Sequence, residues 1–295
     1  MKKIFIQLIS NSLGDTIAAT PYVCEYQKKH NVDVTFGIND PYIFLLNETY
    51  KNIHFIGRNE IINFDEKISI DYIFDKSIQG GYAEQLGFVN PKYIRPTISI
   101  PDFSRPIKNK YVAMGVHSTC QIKYWNHSDG LKSQIESKNW NELSSLFRKK
   151  GLTPVTVEKD ELFGVPPFYN GVPSKSNKQI NKSLLDAANI IKHSEFYIGL
   201  SSGMSWVAHA LGKKVAMISN FTEDWNEFDL SLPDYKRIVD KSVCHGCWNM
   251  INKEHSFDPN NWYWCPKHEN TTREFECHKS ITAERVFDEI KDWLI

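Results

Sequence analysis

Six cysteines are spread unevenly along the chain. Cys24 and Cys120 stand alone, whereas Cys244, Cys247, Cys265 and Cys277 fall within 34 residues, as one Cys-x-x-Cys pair, a third thiol after 17 intervening residues and a fourth after 11 more. Four thiolates so spaced suit a tetrahedral ion, zinc or iron. The opening Met1-Lys2-Lys3 and its short apolar run, which contains Gln7 and meets Asn11 and Asp15 in place of a small-residue cleavage site, do not read as a secretion signal. Without one, such a cluster favours metal over disulfide. A closed four-sulfur shell has no open coordination position, so the ion is expected to be structural, with Trp248, Trp262, Tyr263 and Trp264 packed around it. His245, His268 and His278 lie beside the thiols as less favoured substitute ligands.

Three other segments carry polar chemistry at turns. Ser10-Asn11-Ser12-Leu13-Gly14-Asp15-Thr16 is a small-residue turn that ends on a carboxylate, and it lacks the three spaced glycines of a dinucleotide fingerprint, so nicotinamide or flavin chemistry is not supported. Asp15 reads either as a helix cap or as a carboxylate projecting into a cleft, where it deprotonates an acceptor hydroxyl. Ser201-Ser202-Gly203 sits on a strand-to-helix turn; free N–H groups and the positive end of a helix dipole make that turn an anion site suited to a diphosphate leaving group, an ordinary capped helix being the alternative. In His117-Ser118-Thr119-Cys120-Gln121-Ile122-Lys123-Tyr124-Trp125, Lys123 neutralises developing phosphate charge without a divalent metal, unless it is simply a solvated lysine.

These turns need strands and helices to hold them. Apolar and β-branched runs place strands at 3–9, 32–36, 53–56 and 71–74, with a helix over 16–29. A second series has strands at 111–116, 154–157, 196–200 and 215–219, helices over 140–150, 180–193 and 204–211, and a loop-rich stretch at 163–176. Strands alternating with helices argue for parallel sheets covered on both faces. The prolines and basic residues of 98–110 read as a linker between an N-terminal lobe, 1–107, and a C-terminal lobe, 108–295, the latter including the cysteine segment 243–278. All three polar turns then fall on one side of the two sheets, as a single interlobe cleft requires.

Composition bounds the function. At 295 residues, 24% charged and 41% hydrophobic, the chain has the make-up of a globular enzyme with room for two cores. Lys plus Arg and Asp plus Glu balance at 35 each, so there is no global basic field for nucleic acid or an anionic membrane. No apolar stretch approaches the roughly 18 residues that membrane insertion needs, and the expected location is cytoplasmic.

Several long motifs, in order, resemble the bacterial autotransporter heptosyltransferases. They are Ser118-Thr119-Cys120-Gln121-Ile122-Lys123-Tyr124-Trp125-Asn126, Ile198-Gly199-Leu200-Ser201-Ser202-Gly203-Met204-Ser205-Trp206, Cys244-His245-Gly246-Cys247-Trp248-Asn249, Trp264-Cys265-Pro266-Lys267-His268 and Phe275-Glu276-Cys277, together with Gly14-Asp15-Thr16. The resemblance, which extends to the lipopolysaccharide heptosyltransferases, implies a GT-B fold of two Rossmann-like lobes and inverting transfer of heptose from ADP-heptose to serine hydroxyls of a protein. By the same resemblance Asp15 is the catalytic base, and Lys123 and the Ser201 to Gly203 turn bind phosphate. Gly14, Thr16, Ser118, Thr119, Gln121, Glu158 and Met204 complete the donor-binding set. Cys244, Cys247, Cys265 and Cys277 would hold structural ferric iron, Fe3+, with Zn2+ as the physical alternative; no divalent cation is needed for catalysis, and the family's large rings imply a homo-oligomer. The chain departs from the pattern in a stretch at 127–137 that reads as an insertion, in His117 where Gln is expected, and in beginning directly at its first strand. Two other functions stay open: a phage-type transferase acting on a hydroxymethylated DNA base, and a module that binds sugar nucleotides without turnover.

Overall fold

Strands buried on both faces are near-continuous apolar runs, and two such runs anchor the two halves of this chain. Lys3–Leu8 (β1) lies inside a parallel four-stranded sheet, between Asp33–Ile38 (β2) and Glu66–Ile70 (β4), with His54–Gly57 (β3) beyond β2. Tyr197–Leu200 (β10) lies inside a parallel six-stranded sheet of order β12-β11-β10-β5-β6-β9, made by Tyr111–Gly115 (β5), Thr153–Glu158 (β6), Asn177–Ile180 (β9), Val215–Ile218 (β11) and Tyr235–Ile238 (β12). These assignments come from a computed structural model that describes residues 1–60, 62–125 and 136–294. The stretch 127–137 read as an insertion falls almost wholly outside the described residues.

Helices supply the crossovers. Leu13–His30 (α1) follows β1, Ile43–Asn47 (α2) and Ile78–Gln85 (α3) complete the first half, and Lys138–Lys149 (α4), Leu184–Lys192 (α5) and Gly203–Ala210 (α6) serve the second, ahead of the short Glu276–Lys279 (α7) and Ala283–Glu289 (α8). No helix among the described residues is long and apolar enough to cross a membrane.

Three sequence expectations are corrected. The strand expected at 71–74 is instead β4, whose Glu66 and Lys67 face solvent as edge-strand charges do, while Tyr72 and Phe74 leave the sheet to pack on Trp248 with ring centroids 5.9 and 5.0 Å away. The loop expected at 163–176 contains an antiparallel hairpin, Leu162–Val165 (β7) with Phe168–Gly171 (β8), turning at Pro166-Pro167. The helix expected from 180 starts only at Leu184, where Ser183 caps it, because the polar run before it pairs with β6 as β9. Strand β12 and helices α7 and α8 have no counterpart in the sequence reading.

Two close approaches shape the centre. A Cβ on Gly203 would fall 2.9 Å from Leu13 Cβ and 3.3 Å from the Gly14 nitrogen, and one on Gly14 would fall 2.9 Å from Trp206 Cδ1, so α1 and α6 meet nearly backbone to backbone at their first turns. Paired across β5 and β10, Gly115 and Gly199 leave a slot for the buried Tyr197 ring; a Cβ on Gly115 would overlap its hydroxyl. One continuous apolar core runs from the first sheet through α1 and α6 to one face of the second, a second core lies under α4 and α8, and a third surrounds the cysteines.

Gly to Ala within a helix ordinarily stabilises by about 1 kcal/mol. At Gly14 the new methyl meets Trp206, so Gly14→Ala is expected to lose about 1–3 kcal/mol in a urea melt; a gain in stability would contradict the close approach.

Candidate active site

The turns after β1, β5 and β10 converge at the carboxyl edges of the two sheets, where ligands of open α/β folds bind. The Ser118 hydroxyl donates to the Ser201 carbonyl at 3.1 Å, joining the second turn to the third, and Gly14 against Gly203 joins the first to the third. Ser12, not Asp15, caps α1: its Oγ accepts from the Asp15 N–H at 3.3 Å, which leaves the Asp15 carboxylate in the first turn of the helix. That carboxylate is only 9% exposed and accepts from the Ser10 hydroxyl. Burial lifts its pKa from 3.8 to about 6, against the Ser10 hydrogen bond and the Lys123 charge, while Glu227 and Asp71 push it further up. Asp15 is therefore ionised at neutral pH yet more basic than a solvated carboxylate, the balance a general base needs.

Lys123 ends the short 3-10 turn Gln121–Lys123. Its ammonium is 3.4 Å from Thr119 Oγ1 and lies over the rings of Phe221 and Trp248, 4.9 and 5.6 Å from their centroids. His278 supports this turn from below through Nε2 and the Ile122 carbonyl, and burial holds its imidazole neutral with a pKa of about 4. Gln121 was expected to touch the donor, but it is fully buried: its amide pairs with Asn170 at 2.9 and 3.3 Å and accepts from Trp262 Nε1 at 2.8 Å. It braces the turn from inside and does not face the cleft. Thr16 is also buried, its hydroxyl donating to the Ser12 carbonyl at 2.9 Å. Glu158, at the end of β6, receives the Val116 and His117 N–H groups at 2.5 and 2.8 Å; burial lifts its pKa to about 7 in spite of them.

In the third turn, Ser202 is the N-cap of α6 without a side-chain bond into the helix, and Gly203 and Met204 open the first turn, whose N–H groups have no partner within the helix. The Ser201 hydroxyl is turned inward, to Glu227 Oε1 at 2.5 Å. Sequence reasoning missed Glu227, and it placed Trp248 against the ion without foreseeing its contact with Lys123. Glu227 lies past the carboxyl end of β11, the same edge that carries the other turns, which is the one signal that could have found it. A cavity of about 380 Å3 between α3 and residues 224–230 reaches Glu227, Tyr93 and Trp225 but contains none of the three turns.

The cysteine segment packs beside Lys123. Cys244 and Cys247 sulfurs are 3.9 Å apart, near the ~3.8 Å edge of a tetrahedron with metal–sulfur bonds of about 2.3 Å. Within this pair the Cys247 thiol and, more distantly, His268 and Lys267 bring the Cys244 pKa down to about 6 against burial. Cys247, Cys265 and Cys277 are buried, and burial pushes the latter two thiols up. The pair thus fits a thiolate ion site. Among the described residues, however, no group of three or more His, Cys, Asp or Glu side chains is close enough to hold an ion, so the four-sulfur shell is not closed. His245 Nδ1 bonds the Val243 carbonyl at 2.9 Å, and His278 Nε2 bonds the Ile122 carbonyl.

Asp15, Lys123 and the open N-terminus of α6 stand at the shared edge of two parallel sheets, and by its relatives the chain is a glycosyltransferase, similar to heptosyltransferases. It resembles the autotransporter heptosyltransferases throughout its length. The autotransporter heptosyltransferase TibC of Escherichia coli O78:H11 is 28% identical over 301 residues, 97% of this chain and 70% of TibC. The crystal structure of dodecameric, iron-containing TibC with ADP-D-beta-D-heptose superposes with a TM-score of 0.86 at 26% identity, covering 99% of this chain and 76% of that one. A relative from Burkholderia thailandensis, the inactive autotransporter heptosyltransferase BimC, is 26% identical over 97% of this chain and 67% of its own length. The E. coli ADP-heptose lipopolysaccharide heptosyltransferase II shares the fold alone, with a TM-score of 0.62 at 11% identity over 100% of this chain and 98% of its own. No family profile matches the chain.

The raised pKa of Asp15 has a stability consequence with a definite sign. A carboxyl whose folded pKa lies above its unfolded one favours the fold while protonated, and that contribution is lost as pH rises from 3.8 through about 6. Asp15→Asn should therefore be more stable than the wild type at pH 7.5, by up to about 3 kcal/mol for a shift of some two units, and the gain should vanish toward pH 4. Urea melts at the two pH values measure it; an equal difference at both would mean the carboxyl is not perturbed.

Proposed function

We propose that this chain transfers heptose from ADP-heptose to a hydroxyl of a protein serine or threonine with inversion at the anomeric carbon. The observation that carries the reading is the convergence of Asp15, Lys123 and the Ser201–Gly203 turn at one sheet edge, in a fold whose relative TibC was crystallised with ADP-D-beta-D-heptose. Asp15 takes the proton of the acceptor hydroxyl as its oxygen forms the new bond to the anomeric carbon. On the opposite face the bond from that carbon to the diphosphate breaks, and its electron pair leaves on ADP. Lys123 and the first N–H groups of α6 stabilise the charge that develops there, so no divalent cation is required. Gly14, Ser118, Thr119, Glu158, Ser202 and Met204 surround the donor; buried Gln121 and Thr16 support its walls from within. We divide the work between an acceptor-side lobe, 1–107, and a donor-side lobe, 108–295.

In segment 243–278, Cys244, Cys247, Cys265 and Cys277 would hold one structural ion, iron as in TibC, which supplies folding free energy to a stretch poor in regular structure. A homo-oligomer and a cytoplasmic location complete the proposal. The inactive relative BimC supports one alternative, donor binding without turnover; ionised Asp15 beside Lys123 favours catalysis.

Three measurements test the reading. ADP-heptose should raise the melting temperature in a concentration-dependent way, and more than UDP- or GDP-sugars do; no shift with ADP-heptose would remove it as donor. Lys123→Ala should weaken ADP binding and turnover together, each about tenfold or more, through loss of a charge opposite the diphosphate, and wild-type values for both would place Lys123 outside the site. For the cysteines, elemental analysis should find about one iron per chain, and Cys265→Ser should melt earlier or aggregate. A metal-free wild type, or a variant that melts normally, argues against the structural ion.

A further inference from the structure

The three turns need something to fix them relative to one another, and one buried carboxylate touches or flanks all of them. Glu227 is 3% exposed. Its Oε1 accepts from the Ser201 hydroxyl at 2.5 Å and its Oε2 from Trp206 Nε1 at 3.1 Å. Through Ser201 it reaches the second turn, since the Ser201 carbonyl accepts from Ser118 at 3.1 Å. Through Trp206, whose ring edge abuts Gly14, it reaches the first. The residue before it ties down the backbone from three sides: the Asn226 side-chain oxygen accepts from Tyr72 Oη at 3.0 Å and from Asn249 Nδ2 at 2.8 Å, and its carbonyl accepts from the Ile78 N–H at 2.9 Å. The carboxylate therefore stands on an anchor shared by the first sheet's helix α3, the cysteine segment and the loop after β11.

Two hydrogen bonds to one carboxylate could be purely structural, but an amide would hold the same two donors less well and without a buried charge. A buried anion is costly unless it is hydrogen-bonded or paired, and the donors to Glu227 come from the anion-binding turn and α6. The charged and titratable groups around Asp15 are few: Lys123 from the 3-10 turn, Asp71 beyond β4, Tyr72, Tyr82 on α3, and Glu227, with the Ser10 hydroxyl bonded to the carboxylate itself. Lys123 favours the ionised form of Asp15; Glu227 and Asp71 oppose it, and of these two Glu227 is the one also bonded to the anion-binding turn.

Building on the reading of Asp15 as the base, we propose that Glu227 is a positioning residue for the transfer: it locks the Ser201–Gly203 turn to α6 and stands as a fixed second anion behind Asp15. The like charge keeps Asp15 a stronger base than Lys123 alone would leave it, while the two hydrogen bonds keep the turn at the spacing the leaving diphosphate requires.

The test is the pH profile of donor turnover, followed as ADP released from ADP-heptose with a serine-rich polypeptide as acceptor, for the wild type, Glu227→Gln, Glu227→Asp and Asp15→Asn. Glu227→Gln is expected to move the acid limb down by about half a pH unit or more and to lower kcat about tenfold, whereas Glu227→Asp, which keeps the charge, leaves the limb in place and lowers kcat. A role confined to folding would scale turnover equally at every pH, so a limb at the wild-type position in Glu227→Gln overturns the proposal. If Glu227→Gln does not fold, Ser201→Ala and Trp206→Phe each delete one bond and leave the carboxylate; a loss of kcat with the limb unmoved is expected in both, and wild-type kcat in both overturns it. Asp15→Asn separates the two readings. If it still turns over, the base assignment falls and this inference with it; if it is inactive while the Glu227→Gln limb stays put, Glu227 alone is misassigned.

Discussion

The contact on which the site depends is the meeting of two helix N-termini. Gly14 and Gly203 bring the first turns of α1 and α6 together with no side chain between them. Each N-terminus carries roughly half a positive charge and unpaired N–H groups. Set side by side, they make the edge between the two sheets favourable to anions before any lysine is added. A carboxylate as buried as Asp15 remains ionised near neutrality at this junction: desolvation lifts its pKa only to about 6, because the Ser10 hydrogen bond and the Lys123 charge pull the other way. The same short distance keeps the Asp15 carboxylate and the Ser201–Gly203 turn at one junction.

The cysteine segment belongs to this junction mechanically. Trp248, next to Cys247, lies under the Lys123 ammonium; His278, next to Cys277, holds the Ile122 carbonyl; Trp262 completes the bonding of Gln121. A segment with little regular structure thus supports the turn that carries Lys123 at three points. Order in the sulfur cluster and order at Lys123 are linked through covalent neighbours.

Much of this was legible in the sequence, for a physical reason. Central strands such as β1, β5, β10 and β11 are buried on both faces and read as apolar runs, and small-residue turns at their carboxyl ends announce ligand-binding edges. Edge strands do not read that way. Glu66–Ile70 and Asn177–Ile180 are mostly polar, and only pairing with β1 and β6 makes them strands. Side-chain direction was equally hidden. Gln121 sits in the motif of Lys123 yet points into an amide pair with Asn170, while Glu227, in a polar loop that looks solvated, is nearly inaccessible. The cysteine spacing gave the segment, but not whether four sulfurs close on a point.

The Tyr197 slot sets a rule of inheritance for this sheet. The ring occupies the volume that side chains at Gly115 and Gly199 would fill, on two neighbouring strands directly below the Ser201–Gly203 turn. No one of these three positions can drift alone: a methyl at either glycine demands a smaller residue at 197, and a smaller residue there leaves a hole beneath the turn that only a side chain at 115 or 199 can refill. In any lineage that keeps this sheet, the three should change as a set, two small and one large, with the bulk free to move between strands.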